Sequence, residues 1–537
     1  MTERTFSGAE ALVETLIHGA VSTCFANPGT SEMHFVAALD RSPGIRCVLG
    51  LQENVVTGMA DGYFRVARRP AATLLHCGPG LSNGLANLHN ARRAGAGIVN
   101  IVGDHALAHV PYDSPLTSDV VALAKTCSHW CGLPASPEDL GEYAARAVQV
   151  ARQSYGKIAT LVLPADVSWG LGASPGSLGL IERPEPVTPF QIERAVSALR
   201  GPGRSLLLLG TPAVGPDAHM LLAGLQELGV DLMLSSLVSV LPVGRGRLPL
   251  PRVPYGVEDA LDSLEPYDHV ILVNCPPPTA FFLYPGRPSL LSRADAEIIE
   301  LSRPDQDALA ALAGVLVALG GTPCAPPEVV QDIPAIDHRG PIDADGFAEV
   351  VCALLPRDAI VCDEAITLGS GFPARLANVN PCDWLSMVGG AIGGGLPMAT
   401  GAAIGAADVG QGHRRVVSIQ ADGSAAYTLQ ALWTQARENL PCTTLLLNNR
   451  KYAILQGEYT KVGATPGQTA FDMLSLDRPG VDWVKVAESF GVNATAVTTL
   501  EGLHDALTRA LSLDGPCLID VQFAESDGML ADQSVAN

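Results

Sequence analysis

The chain has 537 residues, of which 47% are hydrophobic and 17% charged. That balance supports several packed cores and excludes both intrinsic disorder and a coiled coil. Thirty-four basic residues against 55 acidic ones leave a net charge of −21, the wrong sign for a general nucleic-acid binder.

Mean hydropathy is positive, at +0.23, yet no apolar run reaches the roughly 18 residues of a membrane helix. Alanine and glycine produce the score. Residues 1–7 lack the basic and apolar regions of a secretory leader. The 12 cysteines are scattered, and Cys127 with Cys131 has no second pair to complete a zinc site. Buried reduced thiols in a cytoplasmic protein, with neither nucleic acid nor membrane as partner, are expected.

In chain order, β-branched or Leu-rich runs occur at 72–76, 98–102, 159–163, 205–210 and 269–274. Others follow at 359–362, 416–419, 443–447 and 517–521. Continuous apolar runs of this length fit strands covered by helices on both faces of a parallel sheet. The stretches between them, such as 141–153 and the segment from Val329 onward, have the length of crossover helices. The expected class is α/β, with doubly wound parallel sheets.

Two proline-rich passages divide the chain. Pro184, Pro186 and Pro189 mark the first; Pro323, Pro326, Pro327, Pro334 and Pro341 mark the second. Three doubly wound domains are expected, over 1–185, 188–322 and 342–537. The outer two each carry a glycine-rich strand-to-helix turn, which points to a duplicated architecture.

The most informative segment is Val416-Val-Ser-Ile-Gln-Ala-Asp422-Gly423-Ser424, followed by Ala431-Leu-Trp-Thr and then Leu445-Leu-Leu-Asn448-Asn449. One strand ends in Asp-Gly-Ser and the next in Asn-Asn, with Asn449 27 positions after Asp422. In a parallel sheet both ends open on the same carboxyl edge, where ligands bind. A carboxylate, an amide oxygen and a nearby main-chain carbonyl there supply the oxygen set that Mg2+ prefers, alongside diphosphate oxygens and water. Gly423 lets the backbone approach a phosphate.

This pattern resembles the diphosphate-binding signature of the thiamine diphosphate-dependent enzymes, Gly-Asp-Gly and then Asn-Asn, with Ala421 in place of the first glycine. The resemblance implies Asp422 and Asn449 as side-chain ligands of Mg2+, with the carbonyl of Lys451 completing the protein set. It places Gly423, Ser424, Asn449 and Tyr452 at the cofactor, and Thr367, after Asp363-Glu364, at its diphosphate. Leu51-Gln-Glu53-Asn-Val-Val-Thr-Gly-Met-Ala-Asp-Gly-Tyr63 resembles the family's glutamate segment. Glu53 is then the catalytic carboxyl group that donates its proton to N1′ of the aminopyrimidine.

Three more segments fit the same family. Asn27-Pro28-Gly29-Thr30-Ser31-Glu32 is similar to its loop beside the pyrimidine, and His76-Cys77-Gly78-Pro79-Gly80 to the turn lining its site. Within 389–397, Ile392 corresponds to the bulky residue under the bend of the V-shaped cofactor. The carbonyl of Gly390 then accepts from the cofactor's amino group.

The resemblance extends over essentially the whole chain and is closest to acetolactate synthase large subunits and to benzoylformate decarboxylase. The block 427–441 is similar to the decarboxylase. So is His76, which lies 23 positions after Glu53, where that enzyme has an active-site histidine. His76 is read as a proton shuttle or as a group orienting the substrate carboxylate; His105, with His109, is a further candidate. The implied substrate is a small 2-oxo acid. Acetolactate synthase-like decarboxylation with carboligation is the expected reaction, and simple decarboxylation of the benzoylformate type is the alternative.

A non-catalytic scaffold relative is the other class, and the set Glu53, Asp422 and Asn449 speaks against it. Gly457-Glu458 stands where the synthases carry an acceptor-pocket tryptophan, and Leu207-Leu-Leu-Gly210 lacks a glycine cluster for flavin, so FAD is not expected. In this family the cofactor lies between the N-terminal domain of one subunit and the C-terminal domain of another. A homodimer or homotetramer is implied.

Overall fold

The computed structural model describes residues 5–153, 155–327 and 339–524. Three sheets carry the architecture. The N-terminal sheet is all parallel, in the spatial order Arg46–Leu49, Thr23–Ala26, Ala71–His76, Ile98–Asp104, Ile158–Pro164, Trp130–Gly132. The central one runs Asp231–Leu234, Ser205–Leu209, His269–Val273, Glu297–Ser302, again parallel. The C-terminal sheet runs Val240–Val243, Cys382–Ser386, Ile360–Glu364, Val416–Ala421, Cys442–Asn448, Cys517–Gln522, Asn493–Val497. Only its Val240–Val243 edge is antiparallel.

The apolar runs read from the sequence all coincide with strands, because each is buried on both faces. Along Ser205–Leu209, Leu206 and Leu208 join Val270 and Leu272 in one core, while Leu207 and Leu209 join Ile271 and Val273 in another. That is the period-2 alternation of a strand between two helical layers. The helix expected from 141–153 is Pro137–Ala151. The one expected from Val329 begins outside the described residues, and the next helix is Ala344–Leu354. Val240–Val243 falls within the middle third of the sequence yet edges the C-terminal sheet, pairing Leu241 with Trp384. An edge strand tolerates Pro242, which has no N–H to give the ladder.

A single apolar core links the two outer sheets. It contains Val55, Met59 and Ala60 of helix Glu53–Ala67, Leu81 and Leu88 of helix Cys77–Ala94, and Leu396, Met398 and Ala402 of helix Gly395–Asp408. Glycines let the first and third helices touch. Gly58 lies against Pro397, Gly62 against Met398 and Gly405 against Tyr63, so contacts advance together along both helices. The starts of the two helices, at Glu53 and Gly395, are thereby held at the same end. Arg65 locks the arrangement: buried, it pairs with Asp61 at 2.7 Å and donates to the carbonyls of Ser239 and Ser386. Among the described residues no helix is long and apolar enough to cross a membrane.

Candidate active site

Strands of the N-terminal sheet deliver a histidine-lined cavity at their carboxyl ends. His76 ends strand Ala71–His76, and Cys77 then turns the chain straight into a helix at a φ of +50°. Gly29, just after strand Thr23–Ala26, lies under the imidazole. A β-carbon there would stand 2.2 Å from Cγ of His76, so Asn27-Pro28-Gly29 can close over the ring only as glycine. His76 Nδ1 is 3.1 Å from each carboxylate oxygen of Glu32 and 3.1 Å from Oγ of Ser31. Glu32 is fully buried; it also accepts from the amide of Gly29 at 2.7 Å and from the hydroxyl of Ser31.

His105 follows strand Ile98–Asp104. Its Nε2 lies 3.2 Å from Oγ of Ser114, and its ring is 5.7 Å from that of His109. Asp104 accepts from the amide of His105, and burial raises its carboxyl above the ordinary range. Thr30, His76, Cys77, Asp104, His105 and His109 line one cavity of about 270 Å³. His76 and His105, 29 positions apart in the sequence, therefore face the same space.

Glu53 opens its helix behind a Gln52 cap and is half-buried. Its Oε2 accepts from Nδ2 of Asn83 at 3.1 Å. Gly80 separates it from the histidine: a β-carbon on Gly80 would lie 3.1 Å from Glu53 Oε1 and 3.4 Å from Cβ of His76. Glu53 and His76 are neighbours across that glycine.

The second group sits on the C-terminal sheet. Asp422 follows strand Val416–Ala421 and is buried; its oxygens accept from the amides of Gly423 at 2.8 Å and Arg450 at 2.7 Å. The Arg450 amide reaches it because Arg450 has a φ of +58°. Burial raises the Asp422 carboxyl, against those two hydrogen bonds. Asn449 is half-buried, and its Oδ1 accepts from the amide of Lys451 at 3.2 Å. Tyr452 packs on Gly423, where a β-carbon would stand 2.5 Å from its ring. Ser424 is buried in the same turn, and Thr367 lies in the turn Ile366–Gly369 after strand Ile360–Glu364.

The glycine run connects the two groups. Asn90 donates to the carbonyl of Ala391 and accepts from its amide, Asn87 donates to Gly393, and Nε2 of His89 lies 3.0 Å from the carbonyl of Gly389. From the other side Thr428 donates to the same Gly393 carbonyl at 2.8 Å. Gly390 is exposed at a φ of +81°, where a β-carbon would meet nothing within 4 Å, and Ile392 is half-buried. Among the described residues no hydrogen bond joins Glu53 directly to Asp422, Asn449 or Lys451.

Several site residues carried no role in the sequence. Glu364 is the chief one: fully enclosed, it accepts from the amides of Gly393 and Gly395 and from Gln420. Burial raises its carboxyl despite those donors. An acidic residue ending an apolar strand was the available signal. Glu32 belonged to a recognised loop, but its bond to His76 spans 44 positions, and nothing local announces it.

The donor chemistry fits the groups that the sequence implies. Asp422 and Asn449 offer hard oxygens without sulfur or imidazole, the set for Mg2+ rather than for zinc. Gly390, exposed with open space at its β position, leaves its backbone accessible.

Residues 6–123 match the model of the N-terminal TPP binding domain of thiamine pyrophosphate enzymes, and residues 367–521 match that of the C-terminal TPP binding domain. The chain belongs to the thiamine pyrophosphate enzyme family. It is 44% identical over 520 residues to the "Putative acetolactate synthase large subunit IlvX" of Mycobacterium tuberculosis, covering 96% of this chain and 98% of that one. It is 29% identical to benzoylformate decarboxylase of Pseudomonas aeruginosa, over 95% and 98% of the two chains. The thiamine diphosphate-dependent 4-hydroxybenzoylformate decarboxylase of Rhodococcus jostii RHA1 superposes with a TM-score of 0.82 at 26% identity, covering 97% of this chain and 100% of that one.

Proposed function

We propose that the protein is a thiamine diphosphate- and Mg2+-dependent enzyme that decarboxylates a small 2-oxo acid and protonates the product to an aldehyde. The observation that carries this reading is the bond between His76 Nδ1 and the fully buried Glu32 on the wall of the cavity beside Glu53. Bound thiamine diphosphate supplies the nucleophilic carbon and the electron sink for loss of CO2.

The chain's own residues do the rest. Asp422, Asn449 and the carbonyl of Lys451 hold Mg2+, and Gly423, Ser424 and Thr367 flank the diphosphate. Tyr452, Ile392 and Gly390 border the cofactor's middle, and Asn27, Pro28 and Gly29 border its pyrimidine. Glu53 holds a proton at the pyrimidine nitrogen. With Nδ1–H donating to Glu32, His76 keeps Nε2 as an acceptor, and a proton gained there makes an imidazolium stabilised by the carboxylate. Such a pair can return that proton to the substrate carbon once CO2 has left. His105 lines the same cavity and orients the substrate carboxylate.

Carboligation is a second reading, favoured by the 44% identity to a relative bearing the name acetolactate synthase. In that case another carbonyl compound, rather than a proton, meets the same carbon. Against it, Gly457-Glu458 stands where the resemblance places the synthases' acceptor-pocket tryptophan. The working unit proposed is a cytoplasmic homodimer or homotetramer without FAD, in which N-terminal residues of one subunit meet C-terminal residues of another.

A CO2-release screen over aliphatic and aromatic 2-oxo acids, with thiamine diphosphate and Mg2+, tests this. An aldehyde product supports the first reading and an acyloin or acetohydroxy acid the second. No CO2 from any 2-oxo acid overturns both.

A further inference from the structure

We propose that Glu32, His76 and Cys77 form a binding site for a thiophilic divalent cation of the Zn2+ class, separate from the oxygen site at Asp422. One ligand atom from each residue lies within 4.8 Å of the others. His76 Nδ1 is 3.1 Å from the Glu32 oxygens and 3.7 Å from Sγ of Cys77. A tetrahedral zinc, with Zn–N and Zn–O near 2.0–2.1 Å and Zn–S near 2.3 Å, sets N···O edges of about 3.4 Å and N···S edges of about 3.6 Å. Two of the three edges among these donors already stand within about 0.3 Å of that tetrahedron's, and the third is within 4.8 Å.

Three further observations favour a cation here. First, the donors are a thiol, an imidazole and a carboxylate, a mixed set that selects zinc-like ions over Mg2+. Second, Cys77 occupies a left-handed backbone position at a φ of +50°, which glycine would fill without strain of order 1 kcal/mol. The turn leaves Sγ of Cys77 3.7 Å from Nδ1 of His76. Third, His76 and Cys77 line the cavity of about 270 Å³ while Glu32 lies behind them, fully buried. The fourth corner is held by Oγ of Ser31, 3.1 Å from Nδ1 of His76, 3.4 Å from Sγ of Cys77 and hydrogen-bonded to Glu32.

Proton accounting is simple. The cation displaces the thiol proton of Cys77 to solvent, and His76 changes tautomer, losing its Nδ1 proton to solvent while Nε2 takes one up. Oε2 of Glu32 can keep its bond from Gly29 while Oε1 turns to the metal. An occupied site withdraws His76 from the cavity's chemistry. That consequence rests on the proposed function, whereas the site itself does not.

The test uses the whole protein saturated with Mg2+ and thiamine diphosphate, so that the oxygen site is filled, and titrates it with Co2+. One equivalent should produce thiolate-to-cobalt charge-transfer absorption and the strong visible bands of tetrahedral cobalt, both erased by Zn2+. Cys77→Ser should abolish the charge-transfer band and weaken Zn2+ binding on the order of 10²-fold or more. Cys47→Ser, which alters the exposed cysteine, should leave both unchanged. Zn2+-soaked crystals of the unsubstituted protein, measured at the zinc edge, should place an anomalous peak between Nδ1 and Sγ without relying on any variant. No charge-transfer band, a band that survives Cys77→Ser, or an anomalous peak elsewhere overturns the site, while the CO2 assay judges the proposed function independently.

Discussion

Gly401 faces the main-chain carbonyl of Met59 so closely that a β-carbon on Gly401 would lie 1.8 Å from that oxygen. Backbone contact of this kind presses the helix bearing Glu53 against the one that follows the glycine run. Gly401→Ala must separate the two helices and open the core they share. The expected loss is about 2–3 kcal/mol or more, the scale of overpacking a tight interface. Gly467→Ala, whose β-carbon would meet nothing within 4 Å, should stay within about 0.5 kcal/mol. Calorimetric melting of both variants checks this; equal transition temperatures would remove the interface from the account.

Glu53→Gln keeps the size of the side chain and its position beside Asn83 but removes the carboxyl proton. Cofactor affinity, read by calorimetric titration, should change little. Turnover in the CO2 assay should fall by more than about 10²-fold, the scale of a lost acid–base group. Normal turnover in this variant would remove the Glu53 carboxyl group from the chemistry.

Asp422→Ala removes the buried carboxylate that accepts from Gly423 and Arg450. Mg2+ and thiamine diphosphate together should raise the melting temperature of the unsubstituted protein, since ligands that bind only the folded state stabilise it by mass action. Chelation with EDTA should reverse that rise. In the variant the rise should be absent at the same concentrations. A full rise in Asp422→Ala would place the metal elsewhere.

The strands were legible because their apolar runs are buried on both faces, which leaves a continuous signal. Val240–Val243 was not, since an edge strand four residues long and containing Pro242 has little of that signal. In the site, Asp422, Asn449 and Glu53 could be read because each sits in a local pattern of glycines and asparagines. The Glu32–His76 and Glu364–Gly395 bonds could not. They join residues brought together only by strand order, 44 and 31 positions apart, and no spacing rule reaches that far.

His219 supplies the clearest pH dependence. It is buried, its Nδ1 accepts from the amide of Leu248 at 3.1 Å, and among the described residues its Nε2 has no hydrogen-bond partner. Burial, helped by Arg247, lowers its pKa from 6.5 to about 4. The folded chain thus keeps the ring neutral where the unfolded chain binds a proton. Stability from this group is complete above pH 6.5 and lost as the pH falls from there to about 4. The shift corresponds to on the order of 3 kcal/mol. His219→Asn retains an acceptor for Leu248 but cannot titrate. Denaturation midpoints of the two proteins should therefore converge as the pH drops from 7 toward 4, with the histidine protein losing more. Parallel curves would show that the imidazole reaches water in the folded state, and that its burial imposes no titration at all.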